Sequence, residues 1–123
     1  MKYLIGSILL CSFGCITVQH VENKRPIQHV VLCWLKEPGN AEHRNQIIEI
    51  SKTFRKILGV LEVRVGRVIK SDRAIVDDSF DVGILVTVSD VERLQEYLDH
   101  PIHKKAKQDV LLPLGEKVVV YDF

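Results

Sequence analysis

Four side chains in this sequence are of types that move protons, and their places along the chain could bring them together: His29, Tyr97, His103 and Asp122. An imidazole works as a base near neutral pH, a phenol can donate a hydrogen bond to a carbonyl oxygen, and a carboxylate beside an imidazole raises its basicity and fixes its tautomer. In the run Tyr97-Leu98-Asp99-His100-Pro101-Ile102-His103, a proline stands between the tyrosine and the histidine, which lie about two helical turns apart. Proline interrupts a helix and suits the first turn of the next one, so His103 should leave the regular helix surface and aim between helix and sheet. If the last strand lies antiparallel beside the first, its end meets the other's beginning and Asp122 approaches His29. A tyrosine that donates to a carbonyl oxygen while a histidine takes a proton suffices for enolisation chemistry.

The same residues have plain structural readings. Tyr97 would pack its ring on the sheet edge, His100 would cap a helix in front of Pro101, and His103 would bond a backbone carbonyl. His100 and His103, joined by His29, would make a metal trio, but their spacing is not that of a standard helical pair, and no metal is expected. His43 reads as a helix-surface residue without a partner and His20 as a linker residue. Lys104, Lys105 and Lys107 read as a solvated helix face with at most a minor role near anionic headgroups. The seven glycines lack the spacing of a phosphate loop, so neither nucleotide nor other cofactor is indicated.

The elements that must position these groups follow from periodicity. Ile27 to Leu35 is rich in β-branched and aromatic residues, with His29, Val31 and Cys33 on one face and Val30, Leu32 and Trp34 on the other, which suits a central strand. Asn40 is placed to cap a helix from about Ala41 to Leu58, with Ile47, Ile50, Phe54, Ile57 and Leu58 at helical spacing and Gly59 as its stop. Leu61, Val63 and Val65 alternate with Glu62 and Arg64 as a strand with one wet face, and Gly66 is expected to mark a bulge. A polar loop from Lys70 to Ser79 leads to a third strand with Phe80, Val82, Ile84, Val86 and Val88 on one face. Ser89-Asp90-Val91-Glu92 reads as a capping box that opens a helix with Val91, Leu94 and Leu98 inward. The helix resumes at Pro101 to about Leu112, and Lys117 to Phe123 forms the last strand. The order β-α-β-β-α-β is the ferredoxin-like α+β unit, a four-stranded antiparallel sheet with helices on one face. Several strands are apolar on both faces, so the bare sheet face should find a partner, most simply a second copy related by a two-fold axis that closes an α/β barrel.

A chain of 123 residues has room for one small core, and its 46% apolar and 27% charged residues are those of an ordinary globular domain. The net charge of +1 provides no broad basic field, which argues against nucleic acid as a partner. Met1 to Leu10 carries one lysine followed by a short apolar run, the layout of a secretory signal and too short to span a bilayer. It runs into Ser12-Phe13-Gly14-Cys15, which resembles a bacterial lipobox at Gly14 and Cys15, though not at Ser12 and Phe13. The expected organisation is a signal peptide over 1–14, a tether over 15–26 lipidated at Cys15, and a folded domain over 27–123, held at a membrane of the bacterial cell envelope. The other reading of the leader is a short apolar strand or helix of the domain itself. With Cys11 and Cys15 in the leader, Cys33 has no partner within the domain and reads as a buried apolar side chain.

His29-Val30-Val31-Leu32, the run from Tyr97 to His103, and Val120-Tyr121-Asp122 together resemble the stress-responsive dimeric α/β-barrel family, and the likeness covers nearly everything after Pro26. Olivetolic acid cyclase-like members of that family perform an intramolecular aldol condensation. The resemblance implies that Tyr97 and His103 match their catalytic tyrosine and histidine, His29 their first-strand histidine, and Asp122 the aspartate of their last strand. Two functions are therefore expected in order. The first is an envelope-anchored binding or stress-related module for a small apolar ligand; the second is an isomerase or cyclase acting on an apolar carbonyl compound. Trp34 is similar to the tryptophan that, with a histidine, frames haem in a sibling family of haem-degrading barrels, which makes haem binding a third. A pocket should lie between the sheet and the second helix, lined by His29, Tyr97, His103 and Asp122.

Overall fold

The structure, a computed structural model, describes residues 24–123. The expected signal peptide, the lipidation site Cys15 and most of the tether lie outside the described residues. The chain runs β1 (Ile27–Leu35), α1 (Ala41–Lys52), β2 (Val60–Arg67), β3 (Val82–Val88), α2 (Val91–Asp99), α3 (Pro101–Ala106), α4 (Leu112–Leu114) and β4 (Gly115–Asp122). A 3-10 turn over Thr53–Lys56 extends α1, and a π-helical turn over Lys107–Leu111 joins α3 to α4. The four strands form one antiparallel sheet in the order β2-β3-β1-β4, with the helices on one face: the ferredoxin-like arrangement.

Strand alternation decides what the helices cover. In β1 the odd-numbered residues Ile27, His29, Val31, Cys33 and Leu35 are buried, while Gln28, Val30, Leu32 and Trp34 are half-buried on the helix-free face. Val82, Ile84, Val86 and Val88 of β3 join the core with Ile47, Phe54 and Ile57. Asn40 caps α1 as its side chain accepts from the His43 N–H, and Gly59 takes φ +89, a left-handed value that stops the helical segment. Asp81 ties the start of β3 to the end of β1, its carboxylate accepting from the Leu35 N–H at 2.9 Å and the Gly39 N–H at 2.8 Å.

Several expectations need correction. The bulge in β2 falls between Val60 and Glu62, whereas Gly66 pairs regularly with Gly83. An exposed edge next to the Gly59 turn accommodates the extra residue, whereas Gly66 sits in regular ladder with open space where a side chain would stand. The α-helical part of α1 ends at Lys52, where the 3-10 turn tightens toward Gly59. Phe80 precedes β3 and lays its ring beside Gly83 and Trp34 on the helix-free face, opposite to the face expected for it. The cap of α2 is Asp90, which accepts from the Arg93 N–H, so that Val91 falls in the first turn and is exposed rather than inward. Of the terminal valines, Val118 and Val120 share the helix side with Val31 and Cys33, but no helix extends over β4 and both remain exposed.

Candidate functional site

His29 and Asp122 are register partners in the β1–β4 ladder, and side chains directly opposite each other point to one face. Their Nδ1···Oδ1 separation is 2.6 Å. A carboxylate accepts, so the ring donates from Nδ1. The histidine side chain is 5% exposed and the aspartate 42%, so this pair joins the core to the open edge of the sheet.

Tyr97 reaches the same face from above. It is the one buried residue of α2, 1% exposed, with its ring edge-on to His29 at 5.5 Å and to Phe54 at 5.6 Å between centroids. Pro101 does what its position implies. His100 breaks the helix with extended backbone angles and caps α3 by accepting from the Ile102 N–H. The new axis turns His103 inward, its ring 4.6 Å from that of Tyr97 and 5.6 Å from that of Phe54. Its Nδ1 lies 3.0 Å from the Leu98 carbonyl oxygen. A carbonyl can only accept, so Nδ1 carries the proton and Nε2 is a free base.

The environment sets the protonation of both groups. Burial pushes the Tyr97 phenol above its usual range, so it is a hydrogen-bond donor at any physiological pH. Burial likewise pulls His103 below its usual value, outweighing the Leu98 bond, with further lowering from His29 and Lys107; the ring is neutral at pH 7. Among the described residues the Tyr97 hydroxyl has no hydrogen-bond partner. Cys33 is not part of this chemistry: burial, and secondarily Asp81, raise its thiol to about 11, which keeps it protonated.

Tyr97 and His103 line a cavity of about 30 Å³ together with Phe54, Ser51, Lys107 and Leu111. It lies between sheet and helices, where a pocket was expected, but its walls include neither His29, which packs against the tyrosine ring, nor Asp122. The four residues thus come together as two pairs, linked through the His29–Tyr97 ring contact. Phe54 and the π-helical turn were not legible as site elements: Phe54 reads as one more core residue of α1, and nothing in Lys107–Leu111 announces a π-helix.

The other histidine combinations do not converge. His100 is occupied as a cap, and among the described residues no three His, Cys, Asp or Glu side chains are placed to hold a metal ion. Trp34 lies on the helix-free face, its ring edge-on to Phe80 and under the Lys117 ammonium at 4.6 Å, so the sheet separates it from both His29 and His103. Among the described residues, no tryptophan and histidine of one chain frame a common haem site.

Comparison with known proteins places this geometry in a family context. The model of the stress responsive A/B barrel domain matches residues 27–123. Similar crystal structures include a Dabb family protein from Mesorhizobium loti with a ferredoxin-like fold (23% identity, 80% of this chain and 94% of that one, TM-score 0.65). A dimeric ferredoxin-like protein of unknown function from Thermobifida fusca aligns at 17% identity over 82% of this chain and 92% of its own, with a TM-score of 0.67. The hydroxynitrile lyase of Passiflora edulis aligns at 21% identity over 81% and 93%, also with a TM-score of 0.67. At such identities the likeness carries the fold alone. No curated protein matches the sequence.

Proposed function

The chain belongs to the stress-responsive A/B barrel domain family, and from that premise we propose that it is a self-pairing module that binds a small apolar carbonyl compound between its helices and sheet. The observation that carries this reading is that Tyr97, whose hydroxyl has no hydrogen-bond partner among the described residues, and His103, whose Nδ1 alone is engaged, stand ring beside ring in the wall of one mostly apolar cavity. Ligand sites are apolar clefts with a few convergent polar groups, and a donor beside an acceptor selects a carbonyl with an adjacent acidic C–H. At about 30 Å³ the cavity has room for one water, so a ligand enters as the segment Lys107–Leu111 along its rim moves outward. The self-pairing rests on the helix-free face, where Val30, Leu32, Trp34, Leu85 and Val119 form an apolar surface; the similar protein from Thermobifida fusca is described as dimeric. The anchoring at a cell envelope through Cys15 rests on the sequence pattern.

A second reading, catalysis of the olivetolic acid cyclase or isomerase kind, is favoured by the protonation states. A neutral histidine base beside a protonated phenol can remove a proton α to a carbonyl while the phenol stabilises the enolate oxygen. Cyclohexanone in D₂O distinguishes the two. Binding seen by ligand-observed NMR and weakened in Tyr97→Phe and His103→Ala supports the site. Deuterium exchange at the α-carbon that His103→Ala abolishes makes it an enzyme. Binding that both variants leave unchanged removes these residues from the function.

A further inference from the structure

A second cleft, of about 640 Å³, opens at the end of the sheet where β2 leaves it and α1 begins. Three cations from three different elements line it: Arg44 of α1, Arg67 at the last position of β2, and Lys70 in the loop that follows. Alternation explains the convergence. Val63, Val65 and Arg67 face Val86, Ile84 and Val82 across the ladder, so Arg67 is sent to the helix side, toward the first turns of α1.

What sets these cations apart is that they converge on one concave surface, and among the described residues none of Arg44, Arg67 and Lys70 pairs with a carboxylate there. Lys70 reaches only the Asp78 carbonyl oxygen, at 2.7 Å. The one carboxylate in the wall, Asp81, is turned away to the Leu35 and Gly39 N–H groups. Three like charges around a concave surface repel one another and focus a positive potential that an anion would relieve. Guanidinium forks match the oxygens of phosphate, and an ammonium adds a point charge. Phe80 and Ile69 supply an apolar rim beside them, suited to the organic part of a phosphate ester.

We propose that this cleft binds the phosphate group of a small soluble phosphate monoester, with Arg44, Arg67 and Lys70 as its ligands and Phe80 against its organic part. The site is separate from the Tyr97–His103 cavity and stands whether or not that cavity binds a carbonyl compound.

The test is calorimetric titration of the full chain with phenyl phosphate and with inorganic phosphate at low ionic strength. Arg67→Gln and Arg67→Gln/Lys70→Gln are the variants, and Lys56→Gln, exposed and outside the cleft, is the control. Both exchanged side chains are exposed, so the fold is retained, as the thermal transition will verify. The expected result is saturable binding, tighter for phenyl phosphate, weakened roughly tenfold for each cation removed and unchanged in the control. Equal weakening in the control reduces the effect to general counterion attraction and overturns the proposal. So does the absence of saturable binding. Binding to phosphatidylglycerol vesicles, sensitive to the double variant, without binding to either soluble phosphate overturns the assignment to a soluble ligand and makes the cleft a headgroup site.

Discussion

Tyr97→Phe separates a structural tyrosine from one kept for its hydroxyl. The ring is 1% exposed and makes edge contacts with His29 and Phe54 and a tilted one with His103, all of which phenylalanine retains. Only the hydroxyl is lost, and among the described residues it has no partner. Burying an unpartnered hydroxyl costs about 1–3 kcal/mol, so its removal should stabilise the fold. Tyr97 lines a cavity of about 30 Å³, large enough for one water, and a water there would offset part of that cost. The expected gain is therefore between zero and about 1 kcal/mol, or a rise in melting temperature of up to roughly 8 °C in a domain of this size. Tyr97→Ala, by contrast, removes the ring contacts and should cost about 3–5 kcal/mol. Urea unfolding followed by tryptophan fluorescence measures both, and the slope must be unchanged for the comparison to hold. A carbonyl ligand should meanwhile bind Tyr97→Phe roughly two- to tenfold more weakly. A Tyr97→Phe protein less stable than wild type by more than about 1 kcal/mol would refute the reasoning, since the hydroxyl would then hold the fold together.

Acid should weaken the fold through His103. Burial depresses its folded pKa below the usual 6.5, so as pH falls through 6.5 the unfolded chain takes up a proton that the folded one refuses. Stability contributed this way is intact above that value and lost on descending to the folded pKa. Urea midpoints between pH 7.5 and 5.5 (assay limits set about one unit either side of an ordinary histidine) should fall in wild type and fall less in His103→Gln; parallel curves argue against a depressed histidine. Gly59→Ala should cost about 1–2 kcal/mol of unfolding free energy, because φ is +89 and the new Cβ would stand 2.7 Å from the Arg93 side chain; an unchanged urea midpoint would show that the turn relaxes freely. Leu85→Glu puts a charge on the helix-free face, and sedimentation at micromolar concentration should show a dimeric wild type and a monomeric variant, while a monomeric wild type removes the proposed contact. Mass spectrometry of membrane-purified protein should find a lipidated N-terminal Cys15, and an unmodified chain starting at Met1 would dispose of the anchor.

The element order and the division of β1 and β3 into two faces follow from local pattern, and the antiparallel meeting of His29 with Asp122 follows once that order is read as a ferredoxin-like unit. Residues alternate across a strand whatever surrounds it, and the ferredoxin-like order leaves one place for the last strand. Pro101 was equally legible as the device that redirects His103, because a proline acts on the backbone next to it. What only the tertiary structure decided is how these groups share space. Whether Tyr97 ends on the sheet edge or under the helix, and whether His103 spends its Nδ1 on Leu98, depend on the packing of Phe54 from a distant helix. The size of the cavity, the separation of Trp34 from the histidines by the sheet, and the convergence of Arg44, Arg67 and Lys70 on one cleft likewise arise between elements far apart in sequence. Periodicity specifies which face a residue takes, but the volume left between faces and the partner missing from a charge are sums over many long-range contacts, and no local pattern encodes them.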